Sequence, residues 1–259
     1  MTSSLRMYGE LAKYYDLEYS RKDYSGEVRR LEELARRFGR SGGKSWLDVA
    51  CGTGRHLEIL RRRHACVGVD ASPEMLRVAR RRLPGVHLVR GDMRTFRLGR
   101  RFDVVSCLFS AVAHLGSERD LASAFANFAR HLRPGGVAMV EPWILPSRAK
   151  PGHLHLLTRE SPAVTLVRLA QSHVHGRRTV IQYRYLIAEP GRGIQYLEET
   201  NRGLMVDALR LQGLMRRAGL RPRFLSRGFT SDRGLLLGVK PLRPEDTGRA
   251  EGGRRRHVA

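Results

Sequence analysis

Between residues 45 and 142, short apolar runs alternate with stretches of helical period, and no other feature of the chain restricts its fold as much. The spacing predicts strands over 45–50, 66–70, 86–90, 102–108 and 136–142. Helices are predicted over 54–63, 73–83 and 118–132, the second with Pro73 in its first turn. Strand–helix alternation of this kind closes into right-handed βαβ units. The expectation is therefore a Rossmann-like α/β fold, a parallel sheet with helices on both faces.

The flanks read differently. Val28, Leu31, Leu34, Ala35 and Phe38 follow helical spacing after a cap at Asp23 or Ser25, and this helix ends at Gly39. Beyond Trp143, residues 163–175, 178–188 and 194–201 alternate apolar and polar side chains. Gly176-Arg177 and the turn at 190–193 separate them, which predicts an antiparallel meander inserted after the fifth strand. Helical period returns over 205–218 and closes at Gly219, and strands over 221–226 and 235–240 follow. The reading is one unit over 1–240 carrying an insert at 143–203, then a Pro/Gly/Arg-rich tail, 241–259, expected to be disordered.

Charge is the anomaly. The net value is +23, and the basic residues are 43 arginines and five lysines. Such an excess is one footprint of a nucleic-acid partner. The arginines are instead spread over predicted helix faces (Arg36-Arg37, Arg61-Arg62-Arg63, Arg80-Arg81-Arg82), without the interleaved aromatics on which bases stack. A solvated, arginine-biased surface is the preferred reading. Cys51, Cys66 and Cys107 are too few and too far apart for a zinc site, so no metal is expected and the thiols are read as reduced. No run approaches the roughly 18–20 apolar residues of a bilayer span, and residues 1–10 lack a secretory apolar core. A soluble cytoplasmic protein without a membrane partner is expected.

Three elements carry chemistry. The stretch from Trp46 to Gly54 is a strand running into a glycine turn that opens a helix, where Gly52 and Gly54 let backbone approach a ligand closely. A dinucleotide fingerprint has three glycines and a pyrophosphate at the helix N-terminus; here Ala50 stands at the first position. Asp70 lies 18 residues beyond Gly52. That is near the spacing of about 20 at which a carboxylate accepts from ribose hydroxyls. A helix cap before Pro73 is its alternative role. Gly91-Asp92-Met93 follows the third strand, where a carboxylate can accept from an adenine amine while the next N–H donates to the ring.

Together, Asp48-x-x-Cys51-Gly52-Thr53-Gly54, Asp70 and Gly91-Asp92-Met93 resemble the class I S-adenosylmethionine-dependent methyltransferases, with Phe102-Asp103-Val104-Val105 and the Leu132–Gly136 stretch in the same order. The resemblance implies a seven-stranded sheet with its last strand antiparallel and S-adenosylmethionine over the strands' carboxyl ends. Gly52 and Gly54 would then serve the methionine part, Asp70 the ribose, and Asp92 with Met93 the adenine, with Asp48 and Ala50 also at the cofactor.

A closer resemblance covers most of the chain. Tyr14-Tyr15-Asp16, Lys22-Asp23-Tyr24, the run from Ser106 to Leu115, Val140-Glu141-Pro142-Trp143 and Asp232-Arg233-Gly234-Leu235 are similar to the dTDP-amino-sugar N,N-dimethyltransferases of macrolide biosynthesis. It implies N-methylation of a nucleotide-linked amino sugar. Catalytic residues would be His114 and Glu141. Tyr15 and Tyr24 would lie at the cofactor, and Tyr8 and Arg233 would hold substrate. Three family features differ: Tyr8 lies seven rather than eight residues before Tyr15, Asn201 stands for a histidine, and Ile144 for the second tryptophan of Glu-Pro-Trp-Trp.

Methyl transfer from a sulfonium is an in-line displacement, so positioning is most of what the protein contributes. His114 is either the base that takes the amine's proton or a hydrogen-bonding or helix-capping residue. Arg233 either pairs with a diphosphate or is one surface arginine among many. Glu141 either faces the pocket or accepts local backbone N–H groups. Cys51 and Cys107 read as packing. The rival function is an RNA methyltransferase or RNA-binding protein using the basic surface. It predicts an Asn/Asp-Pro-Pro-aromatic or paired-cysteine motif, where this chain has Ser106-Cys107-Leu108-Phe109. The expected partner is a small sugar nucleotide, with nucleic acid disfavoured and a homodimer allowed.

Overall fold

The computed structural model describes residues 6–230 and 233–243. The strands are β1 (Ser45–Val49), β2 (Ala65–Asp70), β3 (His87–Arg90), β4 (Phe102–Cys107), β5 (Leu132–Val140), β6 (Leu154–Ser161), β7 (Val164–His175), β8 (Arg178–Glu189), β9 (Gly193–Leu204), β10 (Arg221–Leu225) and β11 (Leu235–Val239). The α-helices are α1 (Tyr15–Glu18), α2 (Tyr24–Phe38), α3 (Arg55–Leu60), α4 (Pro73–Arg82), α5 (Glu118–His131) and α6 (Ala208–Arg217).

Seven strands form one sheet in the order β10-β11-β5-β4-β1-β2-β3. β1, β2, β3, β4 and β5 pair in parallel, and β11 runs antiparallel to both β5 and β10. The order reverses between β1 and β4, the place at which open α/β sheets leave a crevice beyond their carboxyl ends. β1 and β4 are buried along their whole length, so they read as mostly apolar runs without alternation, and their polar residues are bonded to one another: Ser45 with Asp103, and Ser106 with Asp48. One core cluster gathers α5 and α6 with the central strands, around Phe125, Phe128, Leu211 and Leu214. A second packs Val28, Leu31 and Leu34 of α2 against Trp46 and Leu237, so helices cover both faces.

Helix ends follow the local chemistry. Asp23, rather than Ser25, caps α2 by accepting from Gly26 N at 2.8 Å. Ser72 caps α4 through Met75 N, so capping is not the task of Asp70. Ser117 caps α5 through Asp120 N, which removes that role from His114. Asp207 caps α6, whose start therefore falls later than expected.

The insert departs from expectation by one strand. It is a four-stranded antiparallel sheet, β6-β7-β8-β9, rather than three strands. β6 exposes Leu154 and Leu156 and buries only Leu157, a pattern without the alternation of a half-buried strand. Its place comes from pairing with β7, from Leu154 opposite Gln171 to Ser161 opposite Val164. The inner face of this sheet presents Leu157, Leu166, Tyr185 and Ile187 to Met7, Leu11, Tyr14 and Tyr15, closing a third cluster between insert and N-terminal segment. Beyond residue 243, the tail lies outside the described residues.

Candidate active site

β1 ends in a loop whose backbone turns left-handed at Ala50 (φ 57°), Gly52 (φ 57°) and Gly54 (φ 80°). The two glycines serve different ends. A Cβ on Gly52 would meet nothing within 4 Å, so its bare face opens onto free space. A Cβ on Gly54 would lie 2.5 Å from Leu83 Cδ1. Gly54 is thus required by packing against α4 and by its φ, a reason the sequence did not show.

Asp70, at the end of the neighbouring strand, ties this loop down. Its Oδ2 accepts from Gly52 N and its Oδ1 from Ser72 N, both at 2.8 Å. Ala71 N–H also bonds this carboxylate, which leaves one of its roughly four acceptor positions for a further donor. Burial pushes its carboxyl above the usual range, against the pull of those N–H groups. Its backbone carbonyl accepts from Gly91 N at 2.9 Å, so the ends of β1, β2 and β3 form one continuous rim. Asp92 stands on that rim with its carboxylate forked by the Arg94 guanidinium, which lowers its pKa. Met93 packs on the core beside it.

Asp48 is buried beneath the loop and accepts from Ser106 Oγ at 2.7 Å, and that hydroxyl accepts in turn from Trp46 Nε1 at 2.8 Å. Burial raises the Asp48 carboxyl to about 6. Tyr15, Tyr24, Asp48, Ala50 and Gly52 line one pocket, closed on its other side by Leu108 and Phe109. An open cradle at Gly52, a carboxylate with one acceptor position left at Asp70 and two tyrosines as walls fit the nucleoside and amino-acid parts of S-adenosylmethionine.

The acceptor side is built from β4, β5 and the N-terminal segment. After β4 the chain turns through Phe109 (φ 52°) and Ser110 (φ 58°) into a short 3-10 turn, Ala111–His114. Glu141, at the end of β5, holds that strained turn: its Oε2 accepts from Phe109 N at 2.6 Å. Glu141 Oε1 is 3.6 Å from Arg233 Nη1. Glu141 therefore takes the local alternative. Burial raises its pKa, opposed by Arg233. Arg233 is largely withdrawn from solvent; it donates to Ser110 Oγ at 3.2 Å and lies over Trp143, 5.1 Å from the ring. A solvated surface arginine it is not.

Tyr8 and His114 meet, with Tyr8 Oη 3.2 Å from His114 Nε2 and the rings edge to face. Burial lowers the His114 pKa and raises that of Tyr8, so at neutral pH the imidazole and the phenol are both uncharged.

Several residues of this site had no role assigned from sequence. Asp16 accepts from Thr53 Oγ1 at 2.7 Å and pairs with Arg82, fixing the N-terminal segment to the glycine loop. His56 bonds Glu27 at 2.7 Å, and Lys22 pairs with Glu27 while lying 4.7 Å over the Phe109 ring. Asp16 and Lys22 stand inside the Tyr14-Tyr15-Asp16 and Lys22-Asp23-Tyr24 motifs, and that adjacency was the available signal. Cys51 and Cys107 are buried, and burial raises both thiols.

The Methyltransferase domain family matches residues 47–136. The chain is 40% identical to the dTDP-3-amino-3,6-dideoxy-alpha-D-glucopyranose N,N-dimethyltransferase of Streptomyces fradiae, over 92% of this chain and 93% of that one. The crystal structure of Streptomyces venezuelae DesVI is 37% identical and superposes with a TM-score of 0.83, covering 89% of this chain and 98% of that one. The S-adenosylmethionine-bound CalS10, an amino pentose methyltransferase from Micromonospora echinaspora, is 34% identical with a TM-score of 0.76, covering 85% and 92%. These similarities run through the insert as well as the parallel sheet. The chain belongs to the S-adenosylmethionine-dependent methyltransferases, in the family of the dTDP-amino-sugar N,N-dimethyltransferases.

Proposed function

We propose that this enzyme N-methylates the amino group of a dTDP-linked amino sugar in the cytoplasm. The observation that carries the reading is the Tyr8–His114 contact, beside the turn on which Arg233 rests. A diphosphate needs a fixed cation, and Arg233 offers a guanidinium preset by Glu141, Ser110 and Trp143. An ammonium cannot attack, so the acceptor must lose a proton near His114.

S-adenosylmethionine, when bound, supplies an electrophilic methyl on a sulfonium. Gly52, Asp70, Tyr15, Tyr24, Asp48 and Ala50 would hold it, with Asp92 and Met93 at its adenine. His114, neutral because burial lowers its pKa, receives a proton at Nε2 from the Tyr8 hydroxyl that faces it, while that hydroxyl takes the acceptor's proton in the same relay. Tyr8 is protonated before and after the relay, so it passes the proton along its hydrogen bond and does not act as an anionic base. Glu141 acts through the 109–114 turn and Arg233 rather than on substrate.

Turnover of a panel of dTDP-amino sugars with labelled cofactor, against simple amines and tRNA, tests the reading. Methylation confined to the sugar nucleotides is the expected result; methylated tRNA alone would overturn it. A homodimer belongs to the same proposal, because the outer face of the insert sheet exposes Leu156, Leu169, Leu186, Ile194 and Tyr196. Light scattering on the purified chain checks it.

A further inference from the structure

Glu199 is a buried carboxylate that the chemistry above does not use. Burying a carboxylate is costly unless hydrogen bonds repay it. Its Oε2 accepts from Met7 N at 2.9 Å, and Arg6 N–H bonds the same carboxylate. These are the first two N–H groups of a short 3-10 turn, Arg6–Tyr8, and its last residue carries the hydroxyl that faces His114. On the opposite side, the Tyr8 carbonyl accepts from Ser72 Oγ at 2.5 Å. The turn is therefore held between β9 and the start of α4. Glu199 stands directly across from Tyr183 on β8, on the inward face of the insert sheet. A second tie runs from the same sheet to the same segment, where Arg168 pairs with the buried Glu18.

We propose that Glu199 is a positioning residue for methyl transfer: by anchoring the Arg6–Tyr8 turn, it sets the Tyr8 hydroxyl against His114 and couples the insert sheet to the reacting centre. The proposal rests on Tyr8–His114 being the acceptor-side pair. An anchor of this kind acts only through Tyr8. Displacing a catalytic group by about 1 Å can cost up to about a hundredfold in rate, which sets the scale of the effect.

The test is a double-mutant cycle. Glu199→Leu and Glu199→Gln are made in the wild-type chain and in Tyr8→Phe. For each, kcat and acceptor KM are measured with a dTDP-amino sugar, affinity for S-adenosylhomocysteine by calorimetry, and the His114 ring resonances by NMR. Glu199→Leu is expected to lower kcat by about tenfold or more and to leave S-adenosylhomocysteine affinity within about twofold. Glu199→Gln keeps an accepting oxygen and recovers most of the loss. In Tyr8→Phe, Glu199→Leu adds less than about twofold. The His114 resonances shift in Glu199→Leu as they do in Tyr8→Phe, a readout independent of which acceptor is turned over.

Multiplicative losses in the cycle, or an unmoved His114 in a folded Glu199→Leu protein, overturn the proposal. If Glu199→Leu does not fold, Glu199→Asp, which draws the carboxylate back by one methylene from Met7 N, replaces it in the cycle and in the NMR comparison, with the same outcomes deciding. Failure of the wild type to methylate any amino sugar would refute the acceptor reading instead, with the His114 shift still reporting on the anchor.

Discussion

Asp70 is the residue whose removal tests most of the site at once. In Asp70→Ala, Gly52 N and Ser72 N each lose a 2.8 Å acceptor, and the loop ends of β1 and β2 lose their common tie. At a net 0.5–1.5 kcal/mol per bond, stability falls by about 2 kcal/mol. Both N–H groups lie in partly buried backbone beside the crevice, so water relieves some of the penalty. The ligand side loses charge-assisted bonds from the ribose hydroxyls, costing about 1–3 kcal/mol of affinity, or roughly 5–150-fold in Kd. Asp70→Asn is nearly as damaging, because its amide nitrogen would turn a donor toward one of the two N–H groups. The assay is calorimetric titration with S-adenosylhomocysteine, beside thermal unfolding of the same samples. An Asp70→Ala protein that stays folded and binds S-adenosylhomocysteine as the wild type does would refute the assignment of the rim.

Arg233→Met should weaken acceptor binding by about 1.5–3 kcal/mol and leave S-adenosylhomocysteine affinity near wild type, with Arg233→Lys recovering only part. It also strands the buried Glu141, so Glu141→Gln in the same chain should restore thermal stability but not acceptor affinity. His114→Asn concerns protonation: because burial lowers the histidine's pKa, the wild type should keep its rate down to and below pH 6.5 and lose it only as the imidazole charges. The variant's rate should instead climb with pH up to the pKa of the acceptor amine, and pH–rate profiles on both proteins check this. Gly52→Ala and Gly54→Ala should separate binding from folding. The first costs about 1 kcal/mol of backbone strain and weakens the cofactor by filling the cradle, whereas the second drives a methyl into Leu83 and shows mainly as a lower Tm.

The parallel sheet was readable from sequence because its information is local. β1 and β4 are buried on both faces and spell short, mostly apolar runs, and capping residues such as Asp23 mark helix ends in the same few positions that they bond. The spacing from Gly52 to Asp70 was readable too, since adjacent parallel strands joined by one helix bring the two together at a nearly fixed separation. β6 was not, because its exposed leucines carry no period of their own and only its pairing with β7 makes it a strand. Sequence showed that Gly54 must be glycine but not why, since Leu83 reaches it only after α4 has packed. The acceptor site is wholly tertiary. Tyr8 with His114, Glu199 with Met7 and Glu141 with Arg233 are contacts across 92 to 192 residues of chain. No local propensity encodes such contacts. They exist because β11 runs back antiparallel beside β5, and because the insert sheet buries its inner face on the N-terminal segment.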